Sequence, residues 1–176
     1  MSSRRSALAL FALFPLALSG CGWRPLYADP EIGPAAAELR AIHVEPIAER
    51  LGQHLEWKLR QALNPDGIPT SERFSLRTVL AVTRASLGIQ SQGLATRGTL
   101  DVRARIMLLD LKTGKKLLTN TIHTENAFDV LANGYATEVA EEDADRRTAA
   151  ELSRQIVTRL ALFMERRKRA AAKSGG

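Results

Sequence analysis

The sequence predicts an α+β domain: two helices packed on one face of a four-stranded mixed sheet, in the order β-α-β-β-β-α. Three observations carry this. Residues 95–109 alternate between apolar and polar with a period of two, as a strand does when one sheet face is buried and the other solvated. Two segments carry apolar residues at helical spacing, one early and one at the C-terminal end. Turn-forming residues separate three consecutive strand candidates, which favours antiparallel hairpins between them. With 176 residues, 45% hydrophobic and 25% charged, the chain suits one domain with a sizeable core.

Residues 21–38 are rich in Pro, Gly and Ala and read as an extended arm ahead of a domain over 39–168. Leu39–Val44 is a short strand candidate. Pro46 then opens a helix over 47–63, where Ala48, Leu51, Leu55, Leu59 and Ala62 form one apolar stripe. Asn64-Pro65-Asp66-Gly67 ends it. A long strand follows over 74–88, then a Gly- and Gln-containing hairpin turn at 89–94. In the next strand Leu100, Val102, Ala104, Ile106 and Leu108 face one way, and Thr99, Asp101, Arg103 and Arg105 the other. Lys112-Thr113-Gly114 turns the chain into a last strand over 115–125. Asn133-Gly134 breaks the pattern, and a helix over 135–167 begins with acidic residues and ends with basic ones, which suits its dipole. Residues 169–176 read as a disordered tail. The first strand and helix are expected to cross over to a parallel neighbour.

Ahead of the domain, residues 1–20 have the form of an export signal. Arg4 and Arg5 precede an apolar run, Ala7–Leu18, that is too short to span a bilayer. Leu18-Ser19-Gly20-Cys21 then matches a lipobox, in which small residues admit the signal peptidase and the Cys takes an acyl anchor. Cys21 is the only cysteine, so the chain forms no internal disulfide. The expectation is a lipoprotein with diacylglyceryl and N-acyl groups, including palmitate, on Cys21. Gly22, where enterobacterial lipoproteins retained at the inner membrane carry Asp, favours the outer membrane.

The formal net charge of +6 is concentrated at the ends. Without Arg4 and Arg5 it is +4, and Arg166, Arg167, Lys168, Arg169 and Lys173 account for +5 of that, leaving a body near −1. A nucleic-acid binder carries its positive charge on a folded face, so no nucleic-acid partner is expected. Chemistry-bearing motifs are equally scarce. His43, His54 and His123 lack metal-ligand spacing, so no metal and no cofactor beyond the lipid are expected. Gly88, Gly93 and Gly98 read as turn and bulge residues. The acidic run over 138–145 reads as a solvated helix start, and no catalytic constellation is expected. Arg84, Arg97, Arg103 and Arg105 are expected on or near the solvated face of the long hairpin, where arginines can hold phosphorylated ligands or simply form a charged strand face. Arg166–Arg169 can meet anionic head groups or solvent.

Cys21-Gly22-Trp23-Arg24-Pro25-Leu26-Tyr27 resembles the mature start of the alphaproteobacterial lipopolysaccharide-assembly lipoproteins of the LptE family. Ala95-Thr96-Arg97-Gly98 before a strand, Asp110–Gly114 in a turn, and Gly134-Tyr135-Ala136 leading to Glu142-Asp143-Ala144 with Arg147 are similar to that family in the same order. The resemblance implies a non-enzymatic outer-membrane lipoprotein of a Gram-negative envelope, facing the periplasm. Such a protein plugs an LptD-like β-barrel, assists its assembly, and helps deliver lipopolysaccharide to the outer leaflet. It also implies lipopolysaccharide binding through basic residues, with Arg97 the first candidate and Arg84 the second. An accessory lipoprotein of a periplasmic ABC lipid-transport system is the alternative.

Overall fold

The computed structural model describes residues 34–67, 69, 71–87 and 96–174. The expected signal segment, Cys21 and the first part of the arm lie outside the described residues, as does the hairpin turn between the two long strands. The elements are α1 (Pro34–Arg40), β1 (Ile42–Val44), α2 (Arg50–Leu63), β2 (Phe74–Leu87), β3 (Thr96–Asp110), β4 (Lys116–Val130) and α3 (Gly134–Ser174). The sheet order is β1-β2-β3-β4. β1 pairs parallel to β2, and the other two pairings are antiparallel. The four-stranded mixed sheet and the β-α-β-β-β-α order are therefore as the sequence implied, with α1 added in front.

That short helix corrects two expectations. Leu39 and Arg40 close a helix instead of opening a strand, and the arm is helical from Pro34. Proline in the first turn and three alanines favour this locally. α2 also begins later than its periodicity implied. Ile47, 5% exposed, folds back onto Gly52, where an added Cβ would lie 2.7 Å from the Ile47 Cγ2. Glu49, at φ 68°, then turns the chain into the helix. Ala48 and Ala62 consequently face solvent, and Leu51, Leu55, Leu59 and Leu63 form the buried stripe.

The core lies between the two long helices and one face of the sheet. Leu100, Val102, Ala104, Ile106 and Leu108 of β3 meet Leu152, Ile156 and Leu160 of α3 and the leucines of α2, all buried. β4 extends five residues past its expected end, to Val130. Its last turn of pairing sets Phe128 opposite Gly98, and Phe128 covers the place where a Gly98 Cβ would be. Gly98 is thus a packing residue inside β3 rather than a turn or bulge residue. Gly88 and Gly93 lie outside the described residues. A register irregularity between Leu108 and Leu109 marks the other end of the β3–β4 pair.

α3 starts at Gly134, where the Asn133 side chain accepts the Tyr135 amide at 3.0 Å, and it continues to Ser174. The expected tail is helical from residue 169 to residue 174. Forty-one residues make a helix of about 60 Å. Its Arg167 lies over the Phe74 ring at 5.3 Å, where β2 begins. The seven residues beyond it add about 10 Å of helix.

Two turn and edge carboxylates carry a pH prediction. Asp110 accepts the backbone amides of Thr113 (3.0 Å) and Lys112 (2.9 Å), and Gly114 at φ 67° lets the hairpin close behind it. The Thr113 amide chiefly, then that of Lys112, holds its carboxyl below the usual range. Glu45, at the end of β1, accepts from Arg77 Nε (2.7 Å) and Ser75 Oγ (2.6 Å), which lower its carboxyl in that order. Both folded values lie below the unfolded ones, so their stabilisation is present above the unfolded range and disappears as pH falls through the folded values. Urea melts are expected to show a fall in stability below roughly pH 4, shallower in a Glu45→Gln, Asp110→Asn double variant. An identical acid limb in that variant would exclude these two groups as its source.

Candidate ligand-binding face

Among the described residues helices cover one side of the sheet, and residues of odd number on β2, β3 and β4 form the other, open face. The register defines its rows. Arg97 lies opposite Asp129, Thr99 opposite Ala127, Asp101 opposite Glu125, Arg103 opposite His123, and Arg105 opposite Thr121. On the β2 side the same rows continue with Ala85, Thr83, Ala81 and Val79 opposite Thr99, Asp101, Arg103 and Arg105. These β2 side chains are short, so the arginines stand above their neighbours. Val79 is 54% exposed, which puts an apolar patch beside Arg105.

The four arginines expected together are not together. Arg84 pairs in register with Leu100, a helix-side position. Its Nη2 donates to both carboxylate oxygens of Asp145 on α3, at 2.9 and 3.0 Å. The Asp145 side chain is only 7% exposed, so Arg84 neutralises a carboxylate that would otherwise be buried alone. The expectation of Arg84 at the solvated face is corrected: apolar alternation along β3 was plain, but the parity of β2 relative to it depends on pairing.

Arg97, Arg103 and Arg105 do share the open face, and all three are exposed. Arg103 and Arg105 are two residues apart on one side of β3, about 7 Å between their Cα atoms. Arg97 lies about 20 Å further along, across the acidic row of Asp101 and Glu125. Asp101 is occupied by His123, whose Nε2 lies 2.5 Å from its Oδ2. Arg77, lower on the face, is held by Glu45. None of Arg97, Arg103 and Arg105 has an acidic partner within salt-bridge distance among the described residues. Two unpaired guanidinium groups side by side on a rigid strand can bind one phosphorylated group through several charge-assisted hydrogen bonds. The sequence placed Arg103 and Arg105 on the solvated side of β3 but made Arg97 and Arg84 the ligand candidates; it lacked the register that singles out Arg103 and Arg105 as the close pair.

Other candidate chemistry resolves into structure. Among the described residues no group of three or more His, Cys, Asp or Glu side chains could hold a metal ion. The acidic start of α3 is largely ion-paired: Glu142 with Arg50 (3.4 Å) and Arg146 (2.5 Å), and Asp143 with Arg147. His43 pairs with Glu72 at 2.8 Å.

A two-layer α+β domain with one sheet face left open and partly cationic is the class that the fold and the face define. The chain belongs to the lipopolysaccharide-assembly (LptE) family, whose sequence profile matches residues 39–160. Solved structures share the fold. A putative lipoprotein from Caulobacter crescentus is 24% identical, with a TM-score of 0.63 over 77% of this chain and 98% of that one. The rare lipoprotein B of Shewanella oneidensis is 13% identical, with a TM-score of 0.53 over 72% and 98%. A minor lipoprotein from Acinetobacter baumannii is 18% identical, with a TM-score of 0.52 over 69% and 90%. No curated protein matches the sequence.

Proposed function

We propose that the chain is an outer-membrane lipoprotein of the LptE type, acylated at Cys21 and facing the periplasm. In this role it assists assembly of an LptD-like β-barrel and helps deliver lipopolysaccharide to the outer leaflet, without catalysis. The family match over residues 39–160, from the first strand into the last helix, supports this reading, as does the sequence pattern before Cys21. The observation that carries the ligand assignment is the pair Arg103 and Arg105, exposed and without acidic partners on the open face. Phosphorylated sugars of lipopolysaccharide suit such a pair, and the neighbouring Val79 suits the apolar margin of the same ligand. The polar, rigid sheet also fits the polar lumen of a large barrel. The acyl anchor raises the local concentration of the domain near that barrel.

Affinity purification from outer membranes tests the assembly role. Recovery of a large β-barrel protein is expected; recovery of inner-membrane transporter subunits in its place would sink the proposal. For the ligand, Arg103→Ala with Arg105→Ala is expected to weaken lipopolysaccharide binding about tenfold, a conservative figure for two exposed charge-assisted contacts. Arg97→Ala is expected to weaken it less, because that residue stands apart from the pair. Undiminished affinity in a well-folded double variant would remove the open face from the binding site.

A further inference from the structure

The last part of α3 carries a second cationic surface, on the opposite side of the helix from the core. Leu160 and Met164 are buried against the domain. Arg159, Leu162, Arg166, Arg169 and Lys173 follow one another at spacings of three and four residues, so they form one stripe. All five are exposed, Leu162 at 43%. The stripe contains no acidic residue. Arg159, Arg166 and Lys173 have no acidic partner within salt-bridge distance among the described residues, and Arg169 reaches Glu165 only at 4.0 Å. Arg167, from the same basic run, is turned inward over Phe74 and lies 4.0 Å from Asp110. The structure thus separates the run into one structural arginine and a set of outward ones.

The helix dipole does not account for this stripe. Its effect fades within the last turn, which holds only Lys173. An ordinary solvated helix face mixes charges of both signs, and the first half of α3 does so. The stripe runs about 20 Å along the helix axis, straight and of one sign, with a single exposed leucine inside it. That is the arrangement of a helix lying on an anionic bilayer surface, with cations at head-group level and the leucine at the acyl boundary.

We infer that Arg159, Leu162, Arg166, Arg169 and Lys173 form a contact site for a bilayer surface rich in anionic phospholipid. The site is separate from the open sheet face and does not depend on the lipopolysaccharide reading.

The test uses the full chain with vesicles of phosphatidylcholine alone or of phosphatidylcholine with phosphatidylglycerol, scored by flotation. Arg4→Gln and Arg5→Gln are carried in every protein compared, the one with the unsubstituted stripe serving as wild type, so that the N-terminal segment adds no cations and the quantity read is the gain on adding phosphatidylglycerol. The wild type is expected to gain about tenfold at low salt and to lose the gain at high salt. Replacing Arg159, Arg166, Arg169 and Lys173 by Gln, a good helix former, is expected to abolish the gain while binding to phosphatidylcholine stays unchanged. Arg166→Gln with Arg169→Gln, a milder change, is expected to remove part of it. Arg103→Gln with Arg105→Gln is expected to leave the gain intact. No gain in the wild type, an undiminished gain in the fourfold variant, or a gain lost only in the sheet-face variant would each overturn the inference. None of these outcomes bears on lipopolysaccharide affinity, which the sheet-face variants report separately.

Discussion

Gly98→Ala is expected to destabilise the domain by about 2–3 kcal/mol, although it adds one methyl group. The added Cβ would lie 2.3 Å from Phe128 Cζ and less than 3 Å from two further ring carbons. Gly98 is buried, and the Phe128 ring is 6% exposed, so the ring cannot swing into water without vacating the edge of the core. Two responses remain. The ring can adopt a strained rotamer, or the β3–β4 pair can shift at the rows of Gly98 and Phe128. Either disturbs the end of the strand that carries Arg97 on the opposite face. A double variant distinguishes this clash from a general intolerance of Ala at a strand position. Phe128→Leu alone costs burial, but combined with Gly98→Ala it is expected to cost less than the sum of the two. Chemical denaturation of the four proteins measures the coupling. Additive effects would show that the ring and the glycine do not constrain each other.

Arg84→Ala is expected to cost about 2 kcal/mol and to leave lipopolysaccharide affinity unchanged. Most of that cost comes from Asp145, left with a desolvated carboxylate and no counter-ion. The Arg84 side chain is 41% exposed, so water can reach part of the gap, and the loss is set below that of a fully buried pair. Replacing both residues by Ala is expected to recover much of the stability, because the uncompensated charge is then gone. The contrast with Arg103 and Arg105 is direct. Those variants are expected to lose affinity and keep stability, whereas Arg84→Ala is expected to lose stability and keep affinity. Thermal melts and binding isotherms on the same preparations separate the two. A well-folded Arg84→Ala protein with weakened binding would place the ligand on the helix side of the sheet.

Much of this molecule is legible in one dimension. Alternation from Leu100 to Leu108 fixes which side of β3 is buried, because successive side chains in a strand point oppositely. Lys112-Thr113-Gly114 fixes a hairpin, because only a residue tolerant of positive φ closes it cheaply. The acidic-to-basic polarity of the last helix and the lipobox pattern before Cys21 are likewise properties of neighbouring residues. These local signals are enough for the element order and the family resemblance. They are less reliable at boundaries: α2 starts at Arg50 because Ile47 packs on Gly52, and β4 reaches Val130 because Phe128 fills the space above Gly98.

What the tertiary structure alone decided is which charges meet. Arg84 and Arg97 are near neighbours in the hairpin by sequence, but strand register puts them on opposite faces, one against Asp145 and the other in solvent. Arg103 and Arg105 have no acidic partner among the described residues, while on the same face His123 takes Asp101 and Glu45 takes Arg77. Arg167 and Arg166 are adjacent in sequence and diverge because a helix turns each residue by about 100° from the last. Sequence determines residue types and their local periodicity. Whether a charge is buried, paired or free depends here on residues 22 to 61 positions away, and folding alone brings them together.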